Sequence, residues 1–214
     1  ASAPCAVIAC GTHSARFAMS AGLPLKAIRG QTSHVSAAAL PDTLRAALCH
    51  SGYIAPPRLG QYCLGATFDM DDASTAVRGA DHAHNLAALA AALPAWQAAI
   101  EEIDTEELSG RVGFRAATPD YLPMVGPCPD RVAFTSRYAA LRSDARAVIG
   151  EPGAYYPGLY INAGHGSRGL TSAPLAAELL ASQICAEPPP LDRRLARAVA
   201  PARFIIRDLS RNRI

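Results

Sequence analysis

The apolar positions of this chain fall into short unbroken runs and a few longer periodic stretches. Residues 6–10 are an unbroken run closed by Gly11, as expected of a strand buried on both faces. A helical turn or short helix is predicted around residues 13–21, ended by Gly22-Leu23-Pro24. Residues 27–35 read as a strand. Residues 52–56 and 60–66 read as a hairpin, because Tyr53, Ile54, Tyr62 and Leu64 are strand formers. Residues 81–93 are Ala/Leu-rich and helical up to Pro94, and a second helix resumes over 96–103. Residues 111–117 form a strand candidate. Residues 127–157 mix turns with one short helix near 138–147. A buried strand over 158–163 leads to a helix over 174–186, which Pro188-Pro189-Pro190 stops. The sum is an α/β fold with an α+β insertion. Residues 1–24 and 126–186 supply the α/β pieces. Residues 25–125 form a domain with a mixed or antiparallel sheet and helices, and 187–214 an Arg-rich tail.

Three segments carry candidate chemistry. Gly164-His165-Gly166-Ser167-Arg168-Gly169 follows a buried strand and opens a helix. It fits the G-x-G-x-x-G pattern, but no further strand ending in an acidic residue follows, so it is not a complete dinucleotide fingerprint. Its glycines and helix-start N–H groups suit a phosphate, a carboxylate or the electron-rich edge of a flavin, or else form a plain tight turn. Arg115, on a strand before Thr118-Pro119-Asp120, is either a bidentate carboxylate anchor or a surface Arg. Residues 9–14 end a strand with Gly11 and Thr12, where a nucleotide can approach the edge of a sheet. His13 reads as a turn-exposed side chain.

Composition narrows the classes. The chain is 214 residues long, 50% hydrophobic and 18% charged, which suits a soluble globular protein. Of its 20 basic residues only Lys26 is lysine, and the net charge is +2. The tail from 191 onward holds Arg193, Arg194, Arg197, Arg203, Arg207, Arg211 and Arg213 against Asp192 and Asp208. The six cysteines lack metal spacing and read as reduced core thiols of a cytoplasmic protein. His82-Ala83-His84 lies in a helical stretch where the two rings diverge, so no metal is expected. No apolar run reaches the ~20 residues a membrane span needs.

Taken in order, these segments resemble the FAD-dependent D-amino-acid and glycine oxidases. The matches are Val7 to Ser14, Arg29-Gly30-Gln31, Arg115 with Thr118-Pro119-Asp120, Pro123 and Gly126, and the turn 164–169. Within that family the chain is most similar to the branch that remodels the wobble uridine of tRNA. That likeness is carried by residues 120–126, 138–142, 166–175 and 201–209.

The resemblance implies FAD as cofactor, held by Gly11, Thr12, His165, Gly166, Ser167, Arg168, Gly169, Leu170 and Thr171. It implies a substrate site with Arg115, Tyr53 and Tyr121, and no side chain with a proton-transfer role. Glycine oxidases carry an Arg where this chain has Ser167, so no substrate role is transferred to Arg168. The implied reaction is oxidative removal of the carboxymethyl arm of carboxymethylaminomethyl-(2-thio)uridine, releasing glyoxylate, with tRNA as partner. Two alternatives stand beside it: a glycine- or D-amino-acid-oxidase-like enzyme acting on a small amine, and a truncated, non-catalytic chain that binds no cofactor. The family's N-terminal dinucleotide-binding unit is missing from this sequence, as is the methyltransferase half of the tRNA branch. This polypeptide alone is therefore expected to hold no FAD. An absorption spectrum of the purified chain checks this: it should lack flavin bands, and stoichiometric bound flavin would contradict it.

Overall fold

The computed structural model describes residues 3–214. In chain order the strands and α-helices are β1 (Ala6–Ile8), β2 (Lys26–Ser36), β3 (Leu48–Cys49), β4 (Tyr53–Ile54), β5 (Gln61–Gly65), β6 (Asp69–Met70), α1 (Gly79–Ala92), α2 (Gln97–Glu101), β7 (Ser109–Ala117), β8 (Met124–Pro129), α3 (Arg131–Arg137), β9 (Tyr155–Ala163), α4 (Gly169–Cys185), α5 (Arg193–Val199) and α6 (Arg203–Ser210). They divide into two compact units. One comprises the chain up to Lys26 with Arg115–Ile214, the other Ala27–Phe114. Residues 115–125, which the sequence pattern assigns to the insertion, thus group with the first unit.

The first unit is built on a three-stranded sheet of order β1-β9-β8. β1 runs parallel to β9, with Ile8 opposite Ile161, and β8 runs antiparallel, with Met124 opposite Ala163. Side chains alternate between two buried faces. Ile8, Met124, Cys128, Ile161 and Ala163 meet Phe204 of α6 on one, and Val125 meets Ala176, Leu179 and Leu180 of α4 on the other. The sequence pattern does not show β8, because Gly126, Pro127 and Pro129 look like turn residues. α3 lies earlier than the helix expected over 138–147. Asp130 caps it, its Oδ1 accepting from Val132 and Ala133 N–H, each at 3.1 Å. Only a 3₁₀ turn, Ala139–Arg142, follows.

Of the helical turn or short helix expected around 13–21, the structure has the turns: two 3₁₀ turns, Gly11–Ala15 and Ala18–Ser20. The Ser14 hydroxyl accepts from Cys10 N–H at 3.0 Å and the Ser20 hydroxyl donates to the Ser14 carbonyl, so side chains compete with helical bonding. α4 starts five residues before Pro174, which therefore stands inside it. The tail is ordered too. Phe204, Ile205 and Leu209 of α6 are buried against Phe134 and Leu141 or the β-sheet, and the arginines that dominate its composition face outward or cap neighbours. The cysteines also differ from expectation: Cys128 is buried, but Cys10, Cys49 and Cys185 are exposed.

The second unit has a six-stranded sheet of order β3-β4-β5-β2-β6, with β7 beside β2. Val35, Ile54, Tyr62 and Leu64 on one face pack against Leu86, Leu89, Trp96 and Ile100 from the helical segments. The same face of β2 carries Arg29, Gln31 and Ser33, which alternation also turns inward. Arg29 is fully buried. Its guanidinium bonds Asp81 at 2.7 Å, Asp69 at 3.4 Å, and the carbonyls of Ser74 and Ala76 at 2.9 and 2.7 Å. Gln31 brackets Arg78, accepting from its N–H and donating to its carbonyl, both at 2.8 Å. Ser33 meets His82 Nδ1 at 2.7 Å. Burial of the imidazole lowers the His82 pKa below its ordinary value, against the nearby Asp81 charge.

Removing one partner from a buried, satisfied ion cluster leaves the others desolvated and unpaired. Arg29→Ala should therefore destabilise folding by about 3–5 kcal/mol in chemical denaturation. A change within the ~0.5 kcal/mol usual for surface substitutions would show that the cluster is solvated.

Candidate functional site

Because β1 and β9 are parallel, their C-terminal ends lie on one edge of the first unit's sheet. β1 runs on to Gly11 and β9 to Gly164 at that edge, where ligands of α/β sheets sit. Gly164 has φ +80°, and a Cβ there would lie 2.6 Å from the Thr118 methyl, so both conformation and packing require glycine. Gly11 and Gly166 each have φ +56°, and a Cβ at either would meet nothing within 4 Å. At these two positions bare backbone faces open space.

The end of β7 reaches the same turn, where Ala117 forms an antiparallel bridge with His165. This places the strand of Arg115 beside 164–169. The His165 ring is held from both nitrogens: Nε2 lies 2.9 Å from Asn162 Oδ1 and Nδ1 2.8 Å from the Ser172 hydroxyl. Burial lowers its pKa, which favours the neutral ring near pH 7. α4 then begins at Gly169 with no side chain capping its first N–H groups and with no acidic residue in its first turn. Its amino end is an uncompensated source of positive potential. Ser167, Arg168 and Thr171 are exposed there, and Leu170 is 99% exposed.

The segment after β7 is tied down. Tyr121 N–H donates to the Thr118 carbonyl at 3.1 Å, and Thr118 Oγ1 bonds the Leu122 carbonyl at 2.7 Å. Arg203 of α6 grips Asp120 with two bonds of 2.9 Å. Burial by itself would raise the Asp120 pKa, but the Arg203 hydrogen bonds and charge outweigh it and hold the carboxyl below its ordinary value.

The structure thus brings the predicted Arg115, Tyr121, Gly11, Thr12 and residues 165–171 into one unit. Arg115 is half-buried on β7, and Tyr121 is 65% exposed at φ +59°. Tyr53 belongs to the other unit, on β4 opposite Gly65. His13 is exposed within the first 3₁₀ turn. Sequence reasoning misses Asn162 and Ser172, which orient His165. It also misses Arg203, hidden in the composition of the tail. Among the described residues no His/Cys/Asp/Glu group could hold a metal, and no helix is long and apolar enough to cross a membrane.

Residues 1–183 match the family described as FAD dependent oxidoreductase. The chain is similar to the tRNA 5-methylaminomethyl-2-thiouridine biosynthesis bifunctional protein MnmC of Pseudomonas putida, at 46% identity over 215 residues, covering 100% of this chain and 33% of that protein. It is equally similar to the protein of the same name from Chromohalobacter salexigens, at 46% over 209 residues, covering 96% and 30%. The chain spans about a third of the length of these curated relatives. Among solved structures, glycine oxidase from Geobacillus kaustophilus superposes with a TM-score of 0.63 at 23% identity, covering 91% of this chain and 45% of that one. L-proline dehydrogenase from P. horikoshii gives 0.61 at 15% identity, covering 94% and 46%. At such identities the likeness is one of fold. With residues 1–183 matched, this chain belongs to the family of FAD-dependent oxidoreductases.

Proposed function

We propose that this chain is part of an FAD-dependent enzyme that removes the carboxymethyl arm of carboxymethylaminomethyl-(2-thio)uridine at the tRNA wobble position in the cytoplasm. The observation that carries this reading is the Ala117–His165 bridge, which sets the strand of a candidate carboxylate anchor against an open, glycine-lined turn. Relatives 46% identical over the full chain and named for this tRNA modification support the choice of substrate.

The open backbone at Gly11 and Gly166 and the uncapped start of α4 fit the electron-rich edge of a flavin. Gly11, Thr12 and His165 to Thr171 would hold it. When bound, FAD supplies the two-electron oxidant for the methylene carbon beside the arm's nitrogen. Hydrolysis of the C=N bond so formed releases glyoxylate and leaves an aminomethyl arm on the base. The residues of this chain orient rather than transfer protons, since a neutral secondary amine needs position more than it needs a strong base. Arg115 would take the arm's carboxylate with its planar fork, fixing angle as well as distance. His165, neutral and held at both nitrogens, keeps the turn rigid without adding charge. Tyr121 is this unit's aromatic candidate for contact with the substrate.

Two measurements on the full-length enzyme test this. Arg115→Ala should lose about 1.5–3 kcal/mol of transition-state stabilisation, roughly ten- to hundredfold in kcat/KM, at unchanged flavin content and thermal midpoint. Arg115→Lys should fall between, because it keeps the charge and loses the fork. Wild-type turnover by Arg115→Ala would end the assignment. The second measurement concerns the tail. Arg193, Arg194 and Arg197 are exposed on α5, whereas Arg203 is committed to structural bonds. Replacing the three exposed ones with Gln should weaken tRNA binding and flatten the salt slope by about 0.7–0.9 for each phosphate that is no longer neutralised. An unchanged slope would remove α5 from the RNA surface. Turnover of small N-alkyl glycines matching that of modified tRNA would favour the small-amine alternative.

A further inference from the structure

We propose that Arg203, in the C-terminal α6, is a positioning residue that fixes how Tyr121 is presented to substrate. This rests on the reading of Tyr121 as a substrate-contacting residue.

The guanidinium has five N–H donors, and the structure gives them five acceptors. Nε donates to Asp120 Oδ2 at 2.9 Å, and Nη2 to Asp120 Oδ1 at 2.9 Å and to the Leu122 carbonyl at 2.8 Å. Nη1 donates to the carbonyls of Val199 and Ala200 at 3.0 and 3.2 Å, at the end of α5. The group lies over the Phe204 ring, 4.1 Å from its centroid, and its side chain is 13% exposed. This is a desolvated, saturated arginine, unlike the exposed arginines of α5.

Its two grips fall on either side of one residue. Asp120 and Leu122 flank Tyr121, whose φ of +59° is unfavourable for any side chain with a Cβ. Local bonds alone close the turn only in part. Leu122 N–H engages Asp120 Oδ1, leaving Oδ2 to Arg203. The Leu122 carbonyl likewise receives Arg203 in addition to Thr118. With Arg203 in place, the backbone on both sides of Tyr121 is pinned to a helix that buries Phe204, Ile205 and Leu209. The ring itself stays 65% exposed. A rigid backbone carrying an exposed aromatic ring suits contact with a planar group such as a nucleobase. Lysine at 203 has three donors from one nitrogen and cannot span the carboxylate, the Leu122 carbonyl and the end of α5 together.

The test is a double-mutant cycle in the full-length flavoenzyme, using tRNA that carries the carboxymethylaminomethyl arm. Arg203→Lys and Tyr121→Ala should each raise KM on the order of tenfold while kcat changes less than about twofold. Flavin absorbance should be unchanged in both. The combined variant should be no worse than Tyr121→Ala alone, because Arg203 acts through that ring. A lowered thermal midpoint with wild-type KM in Arg203→Lys would overturn the proposal, as would fully additive KM effects. A wild-type KM in Tyr121→Ala would instead refute the substrate-contact reading beneath it. If Arg203→Lys does not retain flavin, Asp120→Asn replaces it in the same cycle, keeping the shape of the pair and removing its charge.

Discussion

β9 is hydrogen-bonded along both edges, to β1 in parallel and to β8 antiparallel, with Ile161 and Ala163 buried on one face and Tyr160 part-buried on the other. A strand held in this way cannot shift by one residue without turning its apolar set to the wrong side. Where it ends is therefore fixed, and so is everything attached to that end. Gly164 follows at once, in a conformation and a space that admit only glycine. His165 then bridges Ala117, and α4 starts four residues on. The parallel partner delivers Gly11 to the same edge. The candidate site is thus a consequence of register: the sheet places the turn, and the turn places the open glycine backbone.

Two arginines, Arg29 buried and Arg203 part-buried, do the equivalent work for polar groups, one in each unit. Arg29 joins β2 to α1 and the loop before it, and Arg203 joins α6 to the turn after β7. Each is tolerated in a desolvated place because its donors meet carboxylates and carbonyls. Arg29 gains no access to solvent, and its partners lie within the second unit, so its effect is on that unit's stability. Arg203 is bonded to the segment that displays Tyr121, so its effect extends to an exposed ring.

The elements legible in the sequence are those whose apolar pattern and punctuation agree. The run ending in Gly164, the Ala/Leu stretch of α1 and the hairpin of β4 and β5 are examples. β8 is illegible because its glycine and prolines contradict a strand locally. Burial between two cores overrides that, with Met124 and Val125 both under 2% exposed. α3 is displaced because its start is set by a single capping side chain, Asp130, rather than by periodicity. The tail reads by its charge. The apolar residues of α6, Phe204, Ile205 and Leu209, are too few to stand out against seven arginines, although they decide where the helix packs. At the site, glycines and Arg115 are legible as residue types. The partners of His165 are not, because they depend on where β9 ends and α4 begins.

On the proposed reading, a substrate carboxylate and a flavin edge would both draw on positive potential in the first unit. Both are electron-rich, and a single positive centre would attract either. The proposed site would answer them with two different partners. One is the uncapped start of α4, spread over backbone dipoles and fixed by the turn. The other would be the planar guanidinium of Arg115, on the neighbouring strand β7. Between them His165 is kept neutral by burial, so the bridge that joins the two segments adds no third charge. A diffuse dipole suits charge delocalised over a ring, and a planar fork suits charge localised on two oxygens. On adjacent elements, each would then select its own partner.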